Sequence, residues 1–201
     1  KKKKTGNFKV LKIDPKKESK LTIKKFEEIE FSKYYWFKKK NLKEITLNKP
    51  KIAFLFLTKE DINYKNIWKN YFKGNNDKYN IYLHPKYPKK ISSFFKEHII
   101  EDLVETSWGN ISIVKAMTNL LYEAFKDGTN QYFIFRSESC LPLQNFNKMY
   151  NFLTKQKKSL FILGNNTGQH KSRFNYLKNN ESEGLDYKKF YKSETWSILT
   201  R

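Results

Sequence analysis

Ser137, Glu138 and Ser139 stand together in RSESCLPL, residues 136–143, directly after the apolar run NQYFIF and before a helical pattern. In an open α/β sheet, ligands bind at the carboxyl ends of the strands, so a buried strand that closes on small polar residues marks a place for chemistry. Hydroxyls and a carboxylate there suit a sugar, which is read by hydrogen bonds. Three further stretches behave alike. Thr58 closes KIAFLFLT, His84 and Pro85 close YNIYLHP, and ETSWGN carries Trp108 and Gly109, with Ser112 just beyond. If the strands run parallel, all four stretches gather on one rim, which can hold a nucleotide at one side and a polyol acceptor at the other.

Other chemistries lack their residues. There is no GxGxxG after the first strand and no GxxxxGK[ST], so neither a dinucleotide site nor a phosphate loop is supported. His84, His98 and His170 are far apart in sequence, no HExxH occurs, and no Asp-x-Asp follows a strand, which leaves a metal centre without ligands. A serine nucleophile would need GxSxG, which is absent. Cys140 is the single cysteine; it excludes an intrachain disulfide, and after a strand it reads as a small buried hydrophobe.

The elements that must position these residues follow from the spacing of apolar side chains. Residues 51–58, 79–85, 130–135 and 159–163 read as short buried strands, with EDLVET as a further one. Between them, Trp68, Tyr71 and Phe72 mark a helix, with Asp61 as its cap and Gly74 as its stop. Ile91, Phe94, Phe95 and Ile99 mark a second. Ile113, Met117, Leu120, Leu121 and Ala124 mark a long third, and Phe146, Met149, Tyr150 and Leu153 a fourth. Strands alternating with helices predict an α/β fold with a mostly parallel sheet covered on both faces. Residues 1–50 differ in texture. They are rich in Lys and Glu and read as a basic tail or stem, so the folded domain is expected over 51–201.

The formal net charge is +21, which would ordinarily suggest nucleic acid or an anionic surface. Nearly all of it is Lys, however, and the three arginines are Arg136, Arg173 and Arg201. Recognition of bases and phosphates leans on the arginine fork, so a generally solvated basic surface is the favoured reading and no nucleic-acid partner is expected. With 17 Phe, 13 Tyr and 4 Trp the chain has ample material for a core. No apolar run approaches a membrane span and the first residues lack the apolar region of a signal peptide.

KIAFLFLT, YNIYLHPKY, WGNISIVKAMTNLLYEAF, FIFRSESCLPLQNF and the terminal KSETWSILTR together, in this order, resemble the core-2/I-branching β-1,6-N-acetylglucosaminyltransferases, especially the plant-type branch. The resemblance covers 51–201. It implies a GT-A type fold with a Rossmann-like nucleotide-sugar half, a UDP-sugar donor (N-acetylglucosamine for the family), a glycan or glycoprotein acceptor, and inversion by direct attack of an acceptor hydroxyl. It also implies no metal or other cofactor, with Lys or Arg in place of a metal against the departing diphosphate, and a setting in the Golgi or secretory lumen. Carried onto this sequence, it makes Thr58, His84, Trp108, Gly109, Ser112 and Ser137 the candidate donor contacts. Glu138, Ser139 and Trp196 become the acceptor contacts, with Glu138 the first-ranked carboxylate of the rim.

Two departures qualify this reading. Arg136 stands where plant-type members carry Leu. The family's catalytic carboxylate and basic diphosphate contacts fall after the segment matching WSILTR, so no residue up to Arg201 matches them; the domain is expected to be incomplete at this end, with TWSIL loose or sticky. The sequence therefore keeps two alternatives open: a Lys-rich binder of nucleic acid or anionic surfaces, and an inactive sugar-binding relative.

Overall fold

The computed structural model describes residues 49–156, 158–161, 175 and 195–201. The proposed N-terminal tail falls almost wholly outside them. Four strands form one sheet in the order β2-β1-β3-β4: β1 is Lys51–Thr58, β2 Tyr79–Pro85, β3 Asn130–Arg136 and β4 Ile198–Thr200. β2, β1 and β3 are parallel, and β4 runs antiparallel along the outside of β3. This is the expected α/β arrangement.

β1 lies in the middle and is apolar on both faces, as a strand in a covered parallel sheet must be. By alternation, Ile52, Phe54 and Phe56 face one layer and Ala53 and Leu55 the other. The first layer is made by α1 (Lys65–Phe72), the single turn α2 (Ser93–Lys96) and α4 (Phe146–Gln156). Phe54 and Phe56 are the hub there. Edge-to-face contacts join Phe54 to Trp68, Tyr71, Phe72 and Tyr79, and Phe56 to Trp68 and Phe95. The second layer is the long helix α3 (Ile111–Lys126), whose Leu120 and Ala124 cluster with Leu55 and Phe133 and whose Ala116 is buried as well.

The structure corrects the sequence reading in five places. Asp61 does not cap α1: the N-cap is Tyr64, without a side-chain bond, while Asp61 accepts from the Ile62 N–H at 2.9 Å and pairs with Lys65 at 3.0 Å. The helix expected over 91–99 is one 3-10 turn, Pro88–Lys90, followed by α2, because the chain must extend by Ile99 to bridge Leu83. EDLVET forms no strand. Its backbone is held by side chains instead, with the Val104 N–H donating to His84 Nε2 at 3.0 Å and Asn119 Nδ2 donating to the Asp102 carbonyl at 2.9 Å. Of SLFIL, the described part meets β4 through the bridge of Leu160 to Ile198 and through Ser159 Oγ, which accepts from the Thr200 N–H at 3.0 Å; residues 162 and 163 lie outside the described residues.

The fifth correction is the terminal segment, which is not loose. β4 pairs with β3 from Ile134 to Tyr132, and the Arg201 guanidinium donates to the carbonyls of Phe125, Asp127 and Asn130 at 2.8 to 3.1 Å while lying over the Phe125 ring. One arginine thus holds the end of α3, the α3–β3 turn and β4 together. Gly74, just past α1, has φ +75°, where a side chain would be strained, and so serves as the expected helix stop.

Phe54 is 1% exposed and touches rings from two helices and from β2. Phe54→Ala should therefore lower the unfolding free energy by about 3–5 kcal/mol in urea titration. A loss under about 1 kcal/mol would show that this layer is not the load-carrying part of the core.

Candidate functional site at the carboxyl edge of the sheet

The three parallel strands end together, and their end loops are tied to one another through the backbone. The Lys86 N–H donates to the Thr58 carbonyl at 2.8 Å, Tyr87 N–H to Lys59 at 3.1 Å, and Asn63 N–H to the Glu138 carbonyl at 3.1 Å. After β3 the chain makes a tight turn in which the Cys140 N–H reaches the Ser137 carbonyl at 3.3 Å, so Glu138 and Ser139 occupy its tip. The Ser137 and Ser139 hydroxyls lie 3.1 Å apart. The Glu138 carboxylate makes no hydrogen bond or ion pair among the described residues. β4 reaches this same edge: the Phe135 N–H bonds the Ser197 carbonyl at 3.3 Å, which sets Trp196 level with the end of β3, packed on the α3-side cluster.

Thr58 and His84 are buried at 4% and 0% exposure, on opposite faces of neighbouring strand ends. The Thr58 hydroxyl and His84 Nδ1 are buried polar atoms without a hydrogen-bond partner. Such atoms are costly and call for an explanation. Because Nε2 of His84 accepts from Val104, the neutral ring carries its proton on Nδ1, a donor without a hydrogen-bond acceptor among the described residues. Burial pushes the His84 pKa below its ordinary value and keeps the ring neutral.

Trp108 and Gly109 lie on the approach to α3 and Ser112 in its first turn, joined to the edge through the 101–107 segment that His84 holds. Trp108 and Gly109 do not open the helix, which starts at Ile111 with Asn110 as its cap, the Asn110 side chain accepting from the Ser112 N–H at 3.0 Å. The Ser112 hydroxyl is engaged locally, accepting from the Ser107 N–H. Trp108 is 98% exposed and is no core residue. Gly109, at φ +74°, is needed for the turn itself.

Sequence reasoning missed two participants. The Trp68 indole N–H donates to the Cys140 carbonyl at 3.1 Å and so fixes the Ser137–Cys140 turn from below. A buried indole must find an acceptor, and that requirement was the available signal. The other is the side chain of Arg136, which by alternation points not to the rim but into the α1 and α4 layer. Among the described residues no three His, Cys, Asp or Glu side chains assemble into a group that could hold a metal ion.

The family model for the Core-2/I-Branching enzyme matches residues 52–201, from the second residue of β1 through Arg201. The chain belongs to that family. A curated relative, Glycosyltransferase BC10 of Oryza sativa subsp. japonica, is 27% identical over 161 residues, a match that covers 75% of this chain and 38% of the relative. The chain thus spans well under half the length of that relative. The matched region contains every strand of the sheet, so the branching-enzyme pattern and the edge described above are one unit. No helix among the described residues is long and apolar enough to cross a membrane.

The buried histidine gives this branching-enzyme domain a pH signature. Unfolding returns His84 to its ordinary pKa of 6.5, above the folded one, so below that value the unfolded chain takes up a proton that the folded chain refuses. Stability is full above 6.5 and falls as pH drops below it. His98 is shifted the same way by burial and contributes alongside. His84→Gln keeps an acceptor for Val104 and removes the His84 contribution, so the fall in melting temperature between about pH 7 and pH 5 should become shallower. An unchanged slope would show that His84 pays no burial cost on protonation.

Proposed function

We propose that this domain works in glycosyl transfer, taking a sugar, N-acetylglucosamine in the first instance, from a UDP-linked donor to a glycan or glycoprotein acceptor. The observation that carries the reading is the composition of the carboxyl edge: two buried polar atoms, Thr58 Oγ1 and His84 Nδ1, beside a turn whose tip presents Glu138, all three without a hydrogen-bond partner among the described residues. Family membership and a relative that is named a glycosyltransferase support it.

In this reading Thr58, His84 and the Ser137 hydroxyl hold the donor, while Glu138, Ser139 and Trp196 receive the acceptor. The reaction is a single displacement with inversion. The acceptor oxygen bonds to the anomeric carbon, the bond from that carbon to the diphosphate oxygen breaks, the acceptor proton passes to a carboxylate, and UDP leaves. In this reading Glu138 takes that proton or accepts from a sugar hydroxyl. The diphosphate charge is assigned to Lys or Arg and not to a metal, on the missing Asp-x-Asp.

UDP-N-acetylglucosamine should raise the melting temperature equally in EDTA and in manganese, by a shift that follows occupancy. Glu138→Gln should weaken sugar binding by on the order of 1.5–3 kcal/mol, the range for a hydrogen bond to a charged group, and leave the melting temperature of the free protein nearly unchanged. Stabilisation only with manganese would overturn the metal-free reading, and unchanged binding by Glu138→Gln would remove Glu138 from the site.

A further inference from the structure

A cavity of about 500 Å³ opens between α1, α4 and residues 136–144, a volume suited to a small-molecule ligand. Phe54 forms its floor, Trp68 and Met149 its sides, and Leu143 and Phe152, which are 90% and 50% exposed, its mouth. Polar side chains are few. Lys148 and Gln144 stand on the lining, and Arg136 projects into it from the end of β3.

Arg136 is the anomaly. A guanidinium among apolar walls is expected to sit against a carboxylate, because charge removed from water without a partner is costly. Among the described residues no Asp or Glu lines this cavity. Arg136 Nη1 donates to the Phe135 carbonyl at 2.7 Å, and its other donors have no partner among the described residues. Arg136 itself is only partly buried. Burial lowers the Arg136 pKa, with Cys140 and Tyr71 opposing the shift. The Tyr71 hydroxyl, raised to about 12 by burial, is spent on the Met149 sulfur at 3.2 Å.

We infer that this cavity binds a small amphiphilic anion, a carboxylate or phosphate head on an apolar alkyl or aryl body. The head lies on the free side of the Arg136 fork with Lys148 nearby, the body fills the space beside Trp68 and Met149, and the tail leaves past Leu143 and Phe152. A sugar does not suit these walls, since most of its hydroxyls would be stranded without partners. The site is therefore separate from the carboxyl edge and does not depend on the transferase reading. It shares one element with that edge, because Cys140 lies on the cavity wall and closes the Ser137–Cys140 turn.

The test is displacement of bound anilinonaphthalene sulfonate, read by fluorescence, with decanoate, decyl phosphate and decanol as competitors. Sodium chloride at about 0.5 M shortens the Debye length to a few Å and silences the surface lysines. Decanoate or decyl phosphate should compete at concentrations roughly tenfold lower than decanol, a factor within reach of one charge-assisted contact. The better of the two identifies the head group. Arg136→Leu should bring all three competitors to the same level while leaving decanol unchanged. Phe152→Glu, a half-exposed site at the mouth, tests the charge preference without touching the interior and should weaken the anions relative to decanol. Equal competition by decanol and the anions on the unaltered protein, or an anion preference that survives both substitutions, would overturn the inference.

Discussion

Everything in this domain follows from the burial of β1 on both faces. Ile52 through Phe56 are all at or below 1% exposure, so helices must cover the sheet above and below. β2 and β3 flank β1, so its side-to-side hydrogen bonding is also satisfied within the sheet. Only the strand ends remain open. Polar residues that the layers cannot accept, namely Thr58, His84 and the Ser137–Ser139 turn, therefore collect at the carboxyl ends, where connecting loops can be shaped without disturbing the core.

The edge is held from inside as well as by its own backbone. Trp68 packs against Phe54 and Phe56 in the core and hands its one polar atom to the Cys140 carbonyl. His84 does the same on the other face, using Nε2 to hold the chain that leads to Trp108 and α3. Both loops are thus set by side chains whose positions the core decides. A site built this way is preorganised, which is what the proposed reading of the edge as a sugar site requires.

Much of this was legible in the sequence because β1, β2 and β3 are short unbroken apolar runs, and α3 and α4 carry clear helical stripes. The same signals misled where a tertiary partner overrode local pattern. Phe94, Phe95 and Ile99 keep a helical spacing, yet Leu83 draws residues 98–100 into an extended bridge. EDLVET looks like a strand, yet His84 and Asn119 supply its bonds in place of a neighbouring strand. Thr58, His84 and the Ser-Glu-Ser turn could be placed on one edge from topology alone. That Trp108 would be bare and Arg136 turned inward could not, because both depend on which face a residue takes at the point where a strand or helix stops.

The central claim is that ligand chemistry belongs to the carboxyl ends of β1, β2 and β3. Hydrogen–deuterium exchange with and without saturating UDP-N-acetylglucosamine reads this directly, since amides near a bound ligand exchange more slowly. Protection should appear at the backbone of 57–59, 84–87 and 137–140, with the turns at the opposite end of the sheet, 75–78 and 127–130, unaffected. Protection confined to those opposite turns, or none at any of the three strand ends, would contradict the account.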